Sequence, residues 1–245
     1  MKQNTFTIIE NKKLTDTVLR LRLQGDTSAV TAPGQFVNIR LDGQFLRRPI
    51  SVCDMEGNVL TLIYKVVGRG TEQLRAMVPG ERLDLLTGLG NGYDLTPAGS
   101  HPLVIGGGVG VPPMYWLTKQ LIAAGCDVTA VLGFNTADEV FYDDEFRSLG
   151  AKVVLATADG SRGVKGFVTD AMEGLDHTYY FACGPEPMLK AVWRAASGSG
   201  QLSFEKRMGC GFGACMGCSC RTVTGSKRIC REGPVLRKEE ILWED

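Results

Sequence analysis

The stretch LVIGGGVGVPP, residues 103–113, joins a short apolar run to a segment with helical periodicity. Residues 103–105 have the composition of a buried strand, and residues 106–110 form a glycine-rich turn. In the predicted helix, residues 113–124, apolar side chains recur on one face at Met114, Leu117, Leu121 and Ile122. A strand, a glycine-rich turn and a helix in this order are typical of the ligand-binding end of a parallel α/β sheet.

The glycines of this turn are suited to contact with a phosphate group. Gly107, Gly108 and Gly110 allow a pyrophosphate to approach the backbone, and the start of the next helix attracts its charge. We therefore take these three as candidate cofactor-binding residues. A tight structural turn is the alternative, because the G-x-G-x-x-G spacing of ordinary dehydrogenases is not met.

Downstream, strand-like and helical patterns alternate as in a doubly wound parallel α/β domain. Strands are predicted at residues 128–134, 153–156 and 178–183, and helical segments at residues 141–149, 167–174 and 187–196. The domain is expected to span residues 99–200 and to end in a flexible Ser-Gly link at residues 197–200.

Cys183 closes the last predicted strand of this domain, directly before Gly184 and Pro185. Ligands of α/β sheets bind beyond the carboxyl ends of the strands, so Cys183 is placed to touch a bound nicotinamide. The alternative is a small buried core residue before a Gly-Pro turn.

Upstream, residues 1–98 have the pattern of a small antiparallel β-barrel. Short β-branched or alternating runs are predicted as strands at residues 5–10, 17–23, 35–41, 59–66 and 81–86. One short helix is predicted at residues 71–77.

Two motifs in the barrel half carry groups that suit a flavin nucleotide. Arg48, at the start of Arg-Pro-Ile-Ser, can pair with a phosphate, and the Ser51 hydroxyl can hydrogen-bond a flavin ring nitrogen. Gly70 and Thr71 open the predicted helix, where free amides could make a second phosphate contact. The alternatives are a surface loop for the first motif and a plain helix N-cap for the second.

Four cysteines near the end of the sequence have the spacing C-x4-C-x2-C-x11-C, at Cys210, Cys215, Cys218 and Cys230. This spacing is that of plant-type 2Fe–2S proteins, and Gly211, Gly213 and Gly217 suit a loop that wraps a compact core. The alternatives are a structural zinc site and disulfides. Cys220 has no place in the spacing and is not assigned as a ligand.

The cysteine segment, residues 201–245, is rich in positive charge. An oxidised 2Fe–2S core with four thiolates is a dianion, and nearby cations could offset that charge. The candidates are Lys206, Arg207, Arg221, Lys227, Arg228 and Arg231, for which an ordinary solvated face is the alternative.

Composition excludes several classes of protein. The 245 residues carry no net charge, which argues against nucleic acid as the main partner, and no apolar run has the length of a membrane span. Charged residues at positions 2, 10, 12 and 13 interrupt any signal-peptide core. We therefore expect a cytoplasmic protein with reduced thiols.

The order of these motifs resembles that of the ferredoxin–NADP reductase superfamily. Further stretches are similar to electron-transfer subunits of type 1B dihydroorotate dehydrogenases, over nearly the whole chain. These stretches are residues 89–92, 157–161, 166–170 and 205–211. The resemblance implies an FAD-binding barrel, an NAD-binding domain, a C-terminal 2Fe–2S lobe with the four cysteines as ligands, and a partner subunit that carries FMN and the dihydroorotate site.

The resemblance also implies which residues line FAD and how electrons flow. The FAD residues would be Arg48, Pro49, Ile50, Ser51, Ile63, Tyr64, Lys65, Gly70 and Thr71. Electrons from dihydroorotate would pass one at a time through the cluster to FAD and then to NAD+, in a heterotetramer with two copies of each subunit. The alternatives are a reductase for another redox partner and a zinc-stapled nucleotide-binding regulator.

The segment after the strand at residues 128–134 predicts a preference for NAD over NADP. Residues 135–139 contain no Arg or Lys to hold a 2′-phosphate, and Asp138 and Glu139 would repel it. The alternatives are that these acids only cap the next turn, or that Arg162 or Lys165 reaches the site.

Overall fold

The computed structural model describes residues 1–243, so the last two residues of the predicted cysteine segment lie outside the described residues. The chain forms a closed six-stranded barrel, a seven-stranded sheet and a separate two-stranded hairpin. This confirms the predicted fold class. Within residues 1–243, no helix has the length and apolar character needed to cross a membrane.

The barrel is antiparallel, with neighbours in the order β1-β2-β5-β4-β3-β6. Side chains that alternate along the strands fill its interior, where Phe6, Leu21 and Leu62 are fully buried. Its strands are β1 (Lys2–Lys13), β2 (Val18–Gln24), β3 (Phe36–Ile39), β4 (Arg48–Glu56), β5 (Val59–Lys65) and β6 (Arg82–Leu89).

Strand β4 was not predicted, and it begins with the Arg-Pro-Ile-Ser motif. Its pattern is irregular because Pro49 stands near its start and the register with β5 shifts between Val52 and Asp54. The predicted helix begins earlier than expected: α1 spans Arg69–Ala76, so Gly70 and Thr71 lie within its first turn.

The rest of the regular structure is mostly parallel α/β. The strands are β7 (Leu103–Gly107), β8 (Thr129–Phe134), β9 (Lys152–Thr157), β10 (Val164–Lys165), β11 (Tyr180–Cys183), β12 (Gly200–Ser203), β13 (Ser219–Thr222), β14 (Gly225–Arg228) and β15 (Val235–Arg237). The helices are α2 (Val111–Ala123), α3 (Asp143–Ser148), α4 (Val168–Ala171) and α5 (Glu186–Ala195).

The large sheet has the strand order β10-β9-β8-β7-β11-β12-β15, and only the last pair is antiparallel. The predicted strand–turn–helix unit at residues 103–113 is present, and its strand β7 lies at the centre of the sheet. Strand β7 continues through Gly107, two residues further than expected, and the turn is reduced to the 3₁₀ helix Gly108–Gly110.

The link predicted at residues 197–200 is shorter than expected, since only residues 197–199 lie outside regular structure. Gly200 begins β12, which pairs in parallel with β11 and packs its backbone on the Tyr180 ring. A Cβ on Gly200 would lie 2.4 Å from that ring, so glycine is required for the approach. The expected boundary between residues 200 and 201 therefore falls inside a strand.

The cysteine lobe is an excursion between two adjacent strands of the sheet, β12 and β15. It contains the β13–β14 hairpin. Cys218, Ile229 and Cys230 are buried in one apolar cluster with Ile105 of β7 and Phe36 of the barrel. The lobe is thus fixed at both ends and packed against both larger units.

Candidate cofactor site

The four cysteines of the predicted motif form two pairs. The Cys210 sulfur accepts the backbone N–H of Ala214 at 3.2 Å and of Cys215 at 3.4 Å, and the Cys215 sulfur accepts the N–H of Cys210 at 3.4 Å. The Cys218 sulfur accepts the N–H of Cys230 at 3.4 Å. Within residues 1–243, no three His, Cys, Asp or Glu side chains are grouped as for one metal ion. Two thiol pairs fit a two-iron group, in which each iron takes two protein ligands.

The loop that holds the first pair depends on left-handed backbone. Gly211 has φ +79° and Gly213 has φ +93°, as expected of a loop that wraps a compact core. Gly217 lies outside the left-handed region, but its backbone approaches the Cys215 sulfur, which would be 3.6 Å from an added Cβ. Met216 takes the left-handed conformation instead, with φ 60°, which the sequence did not indicate.

The two pairs differ in acidity. Partial burial raises the pKa of Cys210, but N–H groups of residues 212, 214 and 215 outweigh it and lower the pKa to about 6. Burial and the adjacent Cys218 sulfur raise the pKa of Cys230 to about 12. Hydrogen bonds to sulfur favour the thiolate, which is the form that binds metal.

Basic residues surround the lobe, but three of the six candidates already have carboxylate partners. Lys206 pairs with Glu186 at 2.8 Å, Lys227 pairs with Glu240 at 2.7 Å, and Arg228 pairs with Glu232. Arg228 also donates to the Gly213 carbonyl at 2.8 Å, so it holds the cysteine loop directly. Cys220 lies on β13 opposite Lys227, outside both thiol pairs.

The two flavin motifs meet in the structure. A Cβ on Gly70 would lie 2.3 Å from Nε of Arg48, so the guanidinium covers the first turn of α1. The Thr71 hydroxyl accepts the N–H groups of Val67 and Gly68 at 2.9 and 3.2 Å, so it serves the helix cap. A guanidinium at a helix N-terminus fits a phosphate of a dinucleotide.

Pro49 and Ser51 lie on the outer face of the barrel. They pair across from Asn38 and Phe36, whose neighbours Val37 and Ile39 fill the barrel interior. The Ile50 side chain packs toward that interior. A planar ring on this face would contact Pro49 and the Ser51 hydroxyl.

The three predicted FAD residues on β5 are placed differently from one another. The Tyr64 side chain is 1% exposed inside the barrel and donates to Asn11 Oδ1 at 3.1 Å, so only its backbone could contact a ligand. Ile63 is buried between the barrel and α2. Lys65 is partly exposed, with its Nζ 3.9 Å from Glu139.

The glycine turn and Cys183 are brought together at the carboxyl end of the sheet. A Cβ on Gly110 would lie 2.2 Å from the Cys183 carbonyl oxygen, and one on Gly107 would lie 2.3 Å from the Met188 sulfur. Gly110 is thus required for packing against backbone, which agrees with the alternative of a tight structural turn, whereas a side chain at Gly107 would have to displace the flexible Met188 side chain. Gly108 has φ +53° and open space beside it, so a ligand could approach the backbone there.

The loops after β8 and β9 meet beside this turn. Ser161 Oγ accepts the Ala137 N–H at 2.7 Å. The Glu139 carboxylate accepts a hydrogen bond from the side-chain amide of Asn135 at 2.7 Å, which closes the turn at residues 135–139. Arg162 is held by the buried Asp143 at 2.7 Å.

One polar residue between the barrel and the cysteine loop was missed. Asn38 is 1% exposed and donates through Nδ2 to the Cys210 carbonyl at 3.2 Å. Its Oδ1 is buried and has no hydrogen-bond partner among the described residues. An unpaired buried carbonyl costs roughly 1–3 kcal/mol. The only signal in the sequence is an amide within the apolar run Phe-Val-Asn-Ile.

Two families match parts of the chain. Residues 104–194 match the family described as oxidoreductase NAD-binding domain. Residues 205–242 match the iron-sulfur cluster binding domain of dihydroorotate dehydrogenase B. The second match contains all four cysteines of the two thiol pairs.

Two relatives match this chain over nearly the whole length of both proteins. The dihydroorotate dehydrogenase B (NAD(+)), electron transfer subunit, of Geobacillus sp. (strain WCH70) is 43% identical over 256 aligned residues, covering 99% of both chains. The protein of the same description from Fusobacterium nucleatum subsp. nucleatum is 40% identical over 260 aligned residues, covering 100% of both chains.

Solved structures share the fold. A chain of the NADH-dependent reduced ferredoxin-NADP oxidoreductase, studied for flavin-based electron bifurcation, superposes with a TM-score of 0.89 at 31% identity, covering 97% of this chain and 90% of that one. The Amycolatopsis cytochrome P450 reductase GcoB superposes with a TM-score of 0.71 at 23% identity, covering 79% of this chain and 65% of that one.

Proposed function

This chain belongs to the family of electron transfer subunits of dihydroorotate dehydrogenase B (NAD(+)), and we propose that it links dihydroorotate oxidation to NAD+ through FAD and one 2Fe–2S cluster. The observation that carries the proposal is the arrangement of the four cysteines in two pairs. The cysteines lie in the lobe between strands β12 and β15, and the barrel residue Asn38 donates a hydrogen bond to the Cys210 carbonyl. The cysteine lobe packs against both the barrel and the large sheet, which supports an electron path between groups bound to the three.

The cluster would be held by Cys210 and Cys215 on one side and by Cys218 and Cys230 on the other. Backbone N–H groups already point at the Cys210, Cys215 and Cys218 sulfurs. Such donors stabilise thiolates and tune the reduction potential of an iron–sulfur cluster. Arg228 anchors this loop through the Gly213 carbonyl.

FAD would be held on the outer face of the barrel, in the unit predicted at residues 1–98. Arg48 and the first turn of α1 would bind its pyrophosphate, and Pro49, Ser51 and the β5 backbone would border its ring. A bound flavin exchanges a hydride with nicotinamide and single electrons with a cluster. The protein's part is orientation, so we assign no residue as a proton donor.

NAD would bind at the carboxyl end of the large sheet, in the unit predicted at residues 99–200. Gly108 is open to a ligand, while Gly107 and Gly110 let the turn pack closely on α5 and on Cys183. Cys183 lies at the end of β11, where a nicotinamide ring would reach the flavin face.

Dihydroorotate would be oxidised by a separate FMN-containing subunit, in a heterotetramer with two copies of each chain. A (β/α)8 barrel of the kind that binds FMN and orotate spans about 250 residues, and the described residues form the antiparallel barrel, the large sheet and the cysteine lobe instead. Phe212 and Met216 on the cysteine loop are 41% and 55% exposed, which supports this loop as the docking face. With all eight cysteines free, we place the protein in the cytoplasm.

An absorption spectrum with metal analysis tests the proposal. The purified chain should show flavin bands, a red-brown iron–sulfur envelope and about two irons per chain. A colourless protein with one zinc would support the nucleotide-binding regulator instead. Coexpression with the FMN subunit should give a complex that reduces NAD+ with dihydroorotate. If the chain contains flavin and iron but does not bind the FMN subunit, and instead transfers electrons to another redox partner, the proposed partner is wrong.

A further inference from the structure

Helix α2 lies between the barrel and the large sheet and contacts both. Met114 and Leu117 are fully buried in an apolar cluster with Leu132 of the sheet. Trp116 is buried in the apolar cluster of the barrel instead. Lys119 follows Trp116 by three residues, so the two side chains share the face of α2 that is directed at the barrel.

The barrel strand that packs on α2 is β4, and it has a bulge at this contact. Its register with β5 shifts between Val52 and Asp54. Val52 and Met55 both pack in the barrel cluster, whereas Asp54 and Glu56 reach Lys119 outside the barrel. In a regular strand Val52, Asp54 and Glu56 would share one face, so the bulge is what brings both carboxylates to the outer face.

Lys119 joins the helix to this strand. Its Nζ lies 2.9 Å from Asp54 Oδ2 and 2.8 Å from Glu56 Oε1. The Asp54 side chain is 11% exposed, and partial exclusion of solvent strengthens an ion pair. Burial raises the pKa of Asp54 even with Lys119 beside it, so this carboxylate would be poorly solvated without the cation.

Each of the two joined elements carries one of the proposed cofactor sites. Strand β4 begins with the flavin motif, and Ser51 precedes Asp54 by about 10 Å of strand. Helix α2 follows the glycine turn, and Lys119 lies about 12 Å along the helix from Val111. A shift of α2 on β4 would therefore move the nicotinamide site relative to the flavin face. A displacement of about 1 Å between reacting groups can lower a rate by roughly two orders of magnitude.

We propose that Lys119 is a positioning residue for hydride transfer: by pairing with Asp54 and Glu56, it fixes the nicotinamide-binding end of α2 relative to the flavin strand β4. This inference rests on the proposed function, since it needs FAD on the barrel and NAD on the large sheet. It goes beyond that function because Lys119 belongs to no cofactor motif. Its part is geometric, so it exchanges no proton or electron with either cofactor.

Three substitutions test this role. Lys119→Met removes the charge and keeps a long side chain, whereas Lys119→Arg keeps the charge. The matched control is Lys152→Met. Lys152 pairs with Asp127 at 2.7 Å, but both residues belong to the nucleotide-binding unit, so this control removes an ion pair without loosening α2 from β4.

The full-length chain, purified with its flavin, is mixed with NADH under anaerobic conditions in a stopped-flow instrument. Four quantities are measured: the rate of flavin reduction at saturating NADH, the Kd for NADH, the long-wavelength charge-transfer absorbance of the nicotinamide–flavin complex, and the melting temperature. Lys119→Met should lower the saturating rate by roughly tenfold or more and weaken the charge-transfer absorbance. Its Kd for NADH should stay within about twofold of wild type, because no contact to the cofactor is removed. Lys119→Arg should recover most of the rate, and Lys152→Met should keep the wild-type rate and absorbance.

A wild-type rate and charge-transfer absorbance in Lys119→Met, with only the melting temperature lowered, would show that the ion pair merely stabilises the fold and would overturn the proposal. An equal loss of rate in Lys152→Met would overturn it as well. If Lys119→Met does not fold, Glu56→Gln decides, since Glu56 is the more exposed partner at 64%. This variant should reduce the rate severalfold, and a wild-type rate would overturn the proposal. A failure of the proposed function is distinguishable, because the wild-type chain itself would then lack flavin or would not be reduced by NADH.

Discussion

The guanidinium of Arg48 lies against the backbone of Gly70, so closely that a Cβ at that position would be 2.3 Å from Nε and 2.8 Å from Cζ. Arg48 is held in place by Gln44, which accepts from Nη2 at 2.7 Å. The second residue of α1 therefore has to be glycine if the arginine is to cover the helix N-terminus. This contact joins two motifs that are separated by about twenty residues of sequence.

We expect Gly70→Ala to displace Arg48 and to weaken flavin binding by roughly tenfold or more, because one charge-assisted contact with a phosphate would be lost. Flavin content after gel filtration measures the effect. Gly68→Ala is the matched control, since Gly68 has an extended φ of 174° and nothing within 4 Å of an added Cβ. Equal flavin content in the two variants would contradict the role given to Arg48 and Gly70.

The two cysteine pairs predict that single Cys→Ala substitutions fall into two groups, which differ in iron content. Cys→Ala at Cys210, Cys215, Cys218 or Cys230 should strip or cripple the cluster, because one of the two irons would lose one of its two protein ligands. Cys220→Ala should keep full iron, since Cys220 lies on β13 outside both pairs. Iron analysis of the five variants decides, and full iron in Cys215→Ala would refute the ligand set.

The sequence predicted those parts of the fold whose signal is local. The cysteine spacing, the glycine turn and the alternation of strands and helices each depend on residues close together along the chain. Strand β4 was not predicted because a proline and a bulge interrupt its alternation of apolar and polar side chains. Gly200 was predicted to belong to a linker because the sequence around it does not reveal why glycine is needed there. The reason is close packing on the Tyr180 ring, which lies twenty residues away in the sequence.

The site was predicted less completely than the fold, for a related reason. A motif indicates that residues belong together, but not which side chain faces the ligand. Tyr64 stands within a predicted FAD-lining stretch, yet its side chain is directed into the barrel. Asn38 has no motif at all, and its position follows only from the register of β3 against β4 and from the distant Cys210 carbonyl.

The ion pair between Arg162 and Asp143 bears on the choice of nicotinamide cofactor. Arg162 follows β9, beside the segment where the adenosine ribose is expected, and the buried Asp143 holds it at 2.7 Å. We expect the wild-type chain to prefer NADH. Asp143→Asn should raise kcat/KM for NADPH several-fold in a dye-reduction assay, because Arg162 would be free to pair with a 2′-phosphate.

The control for this prediction is Asp144→Asn, which changes an exposed neighbouring acid of the same helix. It should leave the ratio of NADH to NADPH activity unchanged. Equal or better kcat/KM with NADPH in the wild-type chain would refute the preference, and an unchanged ratio in Asp143→Asn would refute the role of the ion pair.

Cys183 should resist alkylation in the folded chain. Burial raises the pKa of its thiol to about 12, so very little of the thiol is ionised at pH 8. Because the pKa is raised, reactivity should stay low until the pH approaches that value. Peptide mapping after iodoacetamide treatment at pH 8 should find Cys183 modified only after unfolding. Rapid modification in the native state would show that it is more open than the structure indicates.

The lone chain should reduce artificial dyes with NADH but should not oxidise dihydroorotate. The reason is that the described residues form an antiparallel barrel, a mostly parallel sheet and the cysteine lobe, and not a (β/α)8 barrel of the kind proposed for the FMN subunit. Both assays are run on the chain after its flavin and iron contents have been confirmed. Dihydroorotate-dependent NAD+ reduction by this chain alone would overturn the need for a partner.

The same preparation tests where the partner docks. Met216 is 55% exposed on the cysteine loop, and Val78 is 57% exposed on the barrel after α1, so the two are matched in exposure. Met216→Gln should weaken co-purification with the FMN subunit, because methionine at an interface centre contributes apolar contact that glutamine lacks. NADH-dependent dye reduction should be unaffected in both variants, since neither residue borders the nicotinamide site. If Val78→Gln weakens the complex and Met216→Gln does not, the partner docks on the barrel and not on the cysteine loop.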